Sequence, residues 1–523
     1  MTSEDSSFAR LFQSVQRECT TPSDAPVKGE LPRWLSGTLI RNGPGKFEVG
    51  ESSYNHWFDG LALMHRFTFD NGKVTYQNRF LRSDAYRRAM KYNRIIMTEF
   101  GTVGMPDPCK SILERFASHF LPLNITDNNL INFFKIGEDL YTTSETSCPR
   151  RINPKDLTSE NSDKMDLFWA FGTMTATAHA QVDDDGYTYN IGTSYVCGTK
   201  YTIIRFDPET KPGNPRKSAK IIGNIPARYM TRPSYFHSFG MTKNYFVFLE
   251  QTLYINVMKL AGSAMTKTAV CSCLEYEPNE KSLFHVVNKR TGDVLPIKFA
   301  SGALFGMHIV NSYEDEGHIV FDICCYHNDE LIKKFYLDYL RHGDQEGKRS
   351  FPRPVVKRFV LPLDVDKRTP KGVNLVSLEY SKATAVLQDD GTVFLQDEVI
   401  SDVGFDMPQI NYDRVNGKRY RYAYGNTSNN PGEFMNTIVK ADIHTKKTVR
   451  WTEPDCFPSE PVFVEAPDAV DEDDGVLMSN VINAKTGCAF LLVLDAKTFT
   501  EVARAEIPGD VGCPLTFHGH YLR

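Results

Sequence analysis

Along this chain, short runs of β-branched and aromatic residues end at an acidic or asparagine-glycine turn, and a second such run follows. Phe69-Asp-Asn-Gly72 precedes Lys73-Val-Thr-Tyr76, Asp183-Asp-Asp-Gly186 precedes Tyr187-Thr-Tyr189, and Asp389-Asp-Gly391 precedes Thr392-Val-Phe-Leu395. Lys289-Arg-Thr-Gly292, Asn416-Gly417 and Asp473-Asp-Gly475 read the same way. These are hairpin signals, because such turns need residues that tolerate positive φ. So many hairpins in 523 residues, with few helical stretches and no linker, predict an all-β closed array of propeller type. The expectation is a single domain over residues 1–523, with a polar arm over 1–30. No short repeat signature such as WD40 is matched.

Gly37-Thr-Leu-Ile-Arg-Asn-Gly-Pro-Gly-Lys46 reads as a strand running into a glycine-rich turn. It is not a phosphate loop, since no GKS or GKT and no helix signal follows. The Asp471-Glu-Asp-Asp-Gly475 cluster lacks the glutamate that a calcium loop places after its glycine, and reads as a solvated turn. A net charge of -5 without basic runs excludes a nucleic-acid face. The eleven cysteines are odd in number and include Cys324-Cys325 and Cys271-Ser-Cys273, so they form no disulfide framework. The polar N-terminus lacks the apolar core of a signal peptide, and no apolar run reaches the roughly 20 residues needed to span a bilayer. The expected location is the cytoplasm.

Two stretches depart from the β pattern. Over 107–123, an Asp-Pro helix start is followed by Ile112, Leu113, Phe116 and Phe120 on one helical face. The stretch 253–262 is similarly apolar. For both, packing on the core and lying in a membrane surface stand as open readings.

Of the thirteen histidines, four share small or aromatic neighbours beside strong β-runs: His179, His237, His308 and His518. A lone histidine among aromatics is ordinarily a packed core residue. The spacing argues otherwise: 58 residues, then 71, then 210, which is about three times 70. One ligand per blade, with two blades passed over, produces such intervals in a seven-bladed propeller. An all-histidine site leaves zinc, copper and iron open, and four neutral ligands on a six-coordinate ion leave two positions for dioxygen and substrate.

The motifs Asn55-His-Trp-Phe-Asp-Gly60, Pro106-Asp-Pro-Cys-Lys110, Ser144-Glu145, Ala176-Thr-Ala-His179 and Pro233-Ser-Tyr-Phe-His-Ser-Phe-Gly240 go together with His308-x-x-Asn311, Tyr313-Glu-Asp315, Pro408-Gln-Ile-Asn411, Pro458-Ser-Glu-Pro461 and Phe517-His-Gly519. Across roughly residues 37–523 the chain resembles the carotenoid cleavage oxygenase family. The resemblance implies a seven-bladed propeller with a loop and helix cap over an axial Fe(II), held by His179, His237, His308 and His518. It implies carboxylates behind three of these, at Glu145, Asp406 and Glu460, each fixing a ring by accepting its far N–H. Asp406 stands where the family has glutamate, so a shorter reach that leaves His308 less firmly oriented is expected. Ser144 replaces a threonine beside the metal.

The resemblance further implies a carotenoid substrate and O₂ as co-substrate, with cleavage at the central 15,15′ double bond to give retinal. Its alternatives are eccentric 9′,10′ cleavage to apocarotenals, retinyl ester isomerohydrolysis, and non-catalytic carotenoid or retinoid binding. Tyr235 and Tyr326 match positions facing a cationic polyene, which a π face stabilises; two packed tyrosines are the other reading. The lipid-borne substrate tips 107–123 and 253–262 towards peripheral membrane contact, with Cys109 at a position that carries a lipid in relatives. Oligomeric state is not legible.

Overall fold

The computed structural model describes residues 7–105, 125–210, 213, 215–509 and 511–523. The expected helix over 107–123 and Cys109 lie outside the described residues. Seven sheets, antiparallel except where Lys298–Ser301 pairs in parallel with Thr392–Gln396, follow one another along the chain as the blades of a β-propeller. Blade 1 consists of Asn132–Ile136, Asp139–Thr143 and Arg150–Ile152, and blade 2 of Gln181–Val182, Thr188–Ser194, Lys200–Phe206 and Lys220–Pro226. Blade 3 starts at Gly240–Met241 and continues through Tyr245–Glu250, Ser282–Asn288 and Lys298–Ser301, with Thr392–Gln396 and Thr384–Leu387 on its outer edge. Blade 4 runs Phe305–Asp315, His318–Tyr326, Val355–Pro362, Glu398–Val399; blade 5 runs Asp406–Gln409, Tyr422–Thr427, Thr437–Asp442, Lys447–Thr452.

Blades 6 and 7 tie the two ends of the chain together. Blade 6 pairs Cys456–Pro458 and Val462–Glu465 with Gly475–Asn483, then Ala489–Asp495, Glu501–Glu506 and, from the N-terminal region, Val27–Gly29. Blade 7 begins at Gly519–Leu522 near the C-terminus and continues with Gly37–Lys46, Leu61–Asp70, Lys73–Phe80 and Ser23–Asp24. Thr38–Arg41 pair in register with Leu522–Gly519, so strands from both ends of the chain build one blade and close the ring within it. The polar arm is therefore woven in: two of its short strands edge blades 6 and 7, and Leu11, Phe12, Val15 and Ala25 are buried.

The sequence pattern of the middle strands follows from stacking. All nine residues of His318–Tyr326 are buried, because a blade is covered on both faces. Ile319, Phe321, Ile323 and Cys325 enter the core shared with blade 3, while Val320 and Cys324 enter the one shared with blade 5. Asp322, on the latter face, accepts two hydrogen bonds at 2.8 Å from Arg358 and one at 2.7 Å from Tyr420 of the next blade. A buried carboxylate is tolerated there because its charge is paired and its lone pairs are occupied.

Asp70↔Lys73 pairing across Asn71 (φ 49°) and Gly72 (φ 75°) is a two-residue hairpin of the expected kind. Gly186, Gly292 and Gly391 also take positive φ. Two other turns differ from expectation. Asn416-Gly417 follows a helical turn, Tyr412–Val415, and Asp473-Asp-Gly475 closes a long connection between Val462–Glu465 and Gly475–Asn483. Asp471 and Asp474 pair with Lys497 at the surface, but Asp473 is buried in an ion pair with Lys440, so the turn is only partly solvated.

The glycine-rich end of Gly37–Lys46 is a correction. It stays in the ladder to Lys46, and its glycines serve close approach instead of a turn. A Cβ on Gly43 would lie 2.8 Å from Thr516 Cα and 3.0 Å from the Leu515 carbonyl oxygen. Gly43→Ala must therefore displace backbone two residues before His518, at a cost of about 1–3 kcal/mol. Gly262 lies in the helix Val257–Thr266, with open space where its Cβ would point. There, Gly262→Ala should stabilise by up to ~1 kcal/mol. Denaturant midpoints that shift in opposite directions for the two variants are the expected result.

Candidate metal centre

The blade geometry delivers four imidazoles to one point. His179 lies two residues before the lead strand of blade 2, His237 three before that of blade 3, His308 inside the lead strand of blade 4, and His518 immediately before the closing strand of blade 7. His179 Nε2 is 2.8 Å from His237 Nε2, which is 3.1 Å from His308 Nε2. The ring of His518 lies 4.5 Å from that of His179 and 5.1 Å from that of His308. One nitrogen from each of the four falls within 4.8 Å of all the others. Hydrogen bonds between these segments hold the approach: Thr177 Oγ1 donates to the His237 carbonyl and accepts from the His179 N–H at 3.0 Å.

The three blades that contribute no histidine contribute the carboxylates. Glu145 of blade 1 accepts from His237 Nδ1, Asp406 of blade 5 from His308 Nδ1 at 2.7 Å, and Glu460 of blade 6 from His518 Nδ1 at 2.7 Å. With these three Nδ1 protons turned outward, the Nε2 lone pairs of His237, His308 and His518 face inward. Unprotonated nitrogens about 3 Å apart repel, and a cation between them removes the conflict. The spacing is that of adjacent nitrogens each ~2.1 Å from one ion. The residues present thus fit a metal held by imidazole nitrogen. His179 has no carboxylate partner among the described residues; its Nδ1 is 3.4 Å from the Asn132 side-chain amide.

The electrostatics agree with neutral rings at His179 and His308. Burial, then the neighbouring histidines, hold His179 well below the usual histidine range. Burial holds His308 down to about 4 even though Asp406 works in the other direction. Burial works to raise Asp406 and Glu460, but their histidine partners and the hydrogen bonds they accept keep both below the usual carboxylate range.

The expected loosening of His308 by the shorter Asp406 is not found. Asp406 opens a bulged strand, and Met407 takes φ 52°; the carboxylate reaches His308 while also accepting from the Met407 N–H at 2.8 Å. Ser144 turns its hydroxyl to the Asn128 carbonyl at 3.0 Å and accepts from the Leu130 N–H. Tyr235 and Tyr326 are buried, and their hydroxyls donate to Glu145 at 2.8 Å and Asp406 at 2.6 Å. Of the stretch 253–262, Leu253 and Tyr254 are buried in a strand pair, and only the helix that follows presents exposed residues such as Met258.

Sequence reasoning missed three supports. Gln409 donates to Glu460 at 2.8 Å, inside a motif already singled out but with no feature marking that role. Arg41, fully buried, donates to Thr516 Oγ1 at 2.7 Å and the Phe517 carbonyl at 3.1 Å, so it fixes the backbone leading to His518. Reading its neighbours as a turn hid it. Phe517 in turn packs on Trp57 and Phe58, with ring centroids 4.6 and 5.4 Å away.

These rings belong to Asn55-His-Trp-Phe-Asp-Gly60, which is locked from below. His56 Nε2 donates to the Ile332 carbonyl at 2.9 Å, and Asp59 accepts from Gly101 N–H and from Thr102 Oγ1 at 2.5 Å. Burial pushes the Asp59 carboxyl up to about 7 against those hydrogen bonds. A folded value above the ordinary 3.8 means the folded state keeps a proton that the unfolded chain releases. The resulting stabilisation is full below the ordinary value and is lost as pH rises through about 7. In the Asp59→Asn variant, the amide keeps the contacts without ionising. Its melting temperature relative to the parent should move in the variant's favour as pH is raised over that window. A difference independent of pH would show that Asp59 is ionised throughout.

A family profile described as retinal pigment epithelial membrane protein matches residues 12–523. The human protein named beta,beta-carotene 15,15'-dioxygenase is 42% identical over 523 residues, covering 98% of this chain and 94% of that one. The chicken protein of the same name is 41% identical, covering 98% of each. Among solved structures, Synechocystis apocarotenoid oxygenase superposes with a TM-score of 0.77 at 21% identity, over 100% of this chain and 99% of that one. Its cobalt-substituted form superposes with a TM-score of 0.76 at 22% identity, over the same shares. A seven-bladed ring that brings four histidines together, matched over nearly its whole length, places this chain in the carotenoid oxygenase family.

Proposed function

We propose that this protein is an iron(II)-dependent dioxygenase that cleaves β-carotene at the central 15,15′ double bond to give two molecules of retinal. The observation that carries the reading is the set of four imidazoles crowded at one point, three of them with Nδ1 turned onto a carboxylate. The central bond is favoured by 42% identity to a protein named for 15,15′ cleavage. His179, His237, His308 and His518 would hold the metal. Glu145, Asp406 and Glu460 would orient three of the rings and offset the ion's charge. Bound Fe(II) supplies the site at which dioxygen is made reactive.

In this reading the protein's own part is placement and exclusion of water. Each carbon of the cleaved double bond takes one oxygen atom of O₂, so two carbonyls form and no external reductant is consumed. Trp57, Phe58 and Phe517 pack together at the residue before His518, and such apolar surroundings suit a polyene that offers no hydrogen bond.

Peripheral membrane contact belongs to the same reading, since such substrates reside in lipid. Support comes from Trp169, Val196, Met230 and Met258, all at least half exposed and on neighbouring segments. Thr199 donates to the Met230 carbonyl, and the Val257 N–H donates to the Thr231 carbonyl, which sets those loops side by side. No helix among the described residues is long and apolar enough to cross a membrane.

The test is aerobic incubation of Fe(II)-loaded protein with β-carotene in detergent, with an anaerobic control and chromatography of the products. Retinal alone, formed only with O₂, is expected. Apocarotenals would move the assignment to eccentric cleavage. Turnover of retinyl esters without O₂ would make the protein an isomerohydrolase. Bound but intact carotenoid would leave a binding protein.

A further inference from the structure

Each carboxylate behind a histidine carries a second side-chain donor. Tyr235 Oη donates to Glu145 Oε1 at 2.8 Å, Tyr326 Oη to Asp406 Oδ2 at 2.6 Å, and Gln409 Nε2 to Glu460 Oε1 at 2.8 Å. Two are phenols and the third is an amide, so a shared role cannot lie in an aromatic face. We infer that Tyr235 and Tyr326 act chiefly through their hydroxyls, as positioning residues that hold the carboxylates which aim His237 and His308. The inference rests on the reading of the four histidines as an iron site.

The physical argument concerns rotation. A carboxylate held only by one imidazole can turn about its own side-chain torsion and carry the ring with it. A second donor from another direction pins the carboxylate and thereby the Nε2 lone pair. Both phenols are themselves anchored. The Tyr235 N–H donates to the Leu253 carbonyl at 2.7 Å, and its own carbonyl accepts from Gln251 at 2.9 Å. Gln251 also accepts from the Gly306 N–H, two residues before His308, at 2.9 Å. Tyr326 ends the middle strand of blade 4, paired in register with Phe305. Each hydroxyl therefore starts from a backbone position fixed by the propeller itself. The donation also draws negative charge from the carboxylate, which moderates its pull on the Nδ1 proton and the donor strength of the ring.

The two sites differ in one respect that sharpens the inference. The Asp406 side chain is 3% exposed, whereas that of Glu145 is 26% exposed. Water can stand in for a lost hydroxyl at Glu145 but not at Asp406. Tyr326 is therefore the stronger support of the two.

Tyr326→Phe and Tyr235→Phe keep the ring faces and remove only the hydroxyls. Their Fe(II) affinity is measured anaerobically against a competing chelator, and the visible absorption of the Co(II)-loaded forms reports the ligand geometry directly. Asp406→Asn calibrates the scale, with Gln409→Leu as the non-aromatic arm. Tyr326→Phe should weaken Fe(II) binding about tenfold and shift the Co(II) bands. Gln409→Leu should do the same, and Tyr235→Phe should show a smaller effect. Affinity and Co(II) bands unchanged in both tyrosine variants would overturn the inference and return these residues to a ring-face role. The same holds if Tyr326→Phe lowers only the melting temperature of the metal-free protein. If Tyr326→Phe does not fold, the Tyr235→Phe and Gln409→Leu variants decide. Parent protein that retains no Fe(II) would instead remove the iron reading on which the inference stands.

Discussion

Four imidazole nitrogens gathered within 4.8 Å of one another, two pairs of them 2.8 and 3.1 Å apart, repel unless a cation lies between them, and the propeller is built so that they cannot move away. Each histidine sits at or just before the lead strand of its blade, where the backbone is fixed by ladder hydrogen bonds. Three have their outer nitrogen engaged by a buried or half-buried carboxylate. The division of labour is complete: blades 2, 3, 4 and 7 supply rings, and blades 1, 5 and 6 supply carboxylates. All seven blades thus depend on one another at the axis.

That dependence is affordable only because the ring is rigid elsewhere. Neighbouring blades share apolar cores, and the middle strands bury both faces, so sliding one blade relative to the next would open cavities on two sides. Closure comes from Gly519–Leu522 joining strand Gly37–Lys46, and the same junction holds His518. Arg41 reaches across it to the Phe517 carbonyl, and Gly43 lets the backbones meet. Stability of the closed ring and placement of the last histidine are consequently one physical problem.

The Asn55-His-Trp-Phe-Asp-Gly60 segment shows how far from the axis that problem extends. Among the described residues, no hydrogen bond or ring contact joins it to the four rings. It orders Trp57 and Phe58 against Phe517 through buried polar groups, Asp59 and His56, whose charges are disfavoured by burial. A motif of polar and aromatic residues here supports an aromatic cluster at the residue before His518.

The amino-acid sequence by itself determined the β-rich pattern, the hairpin at Asn71-Gly72 and the four histidines at near-blade intervals, because these are local or periodic properties. The resemblance of its motifs pointed to Glu145, Asp406 and Glu460. It misread Gly43 and Gly45 as a turn, since glycine marks close approach and tight turns alike, and only a partner strand distinguishes them. It left Tyr235 and Tyr326 open between ring faces and packed tyrosines because hydroxyl direction is set by residues some 80 to 90 positions distant. The reach of Asp406 was likewise invisible: side-chain length suggested a gap, whereas a bulge with Met407 at positive φ carries the carboxylate to His308. Only the tertiary structure could decide these points, because each depends on a distance between segments far apart in the chain.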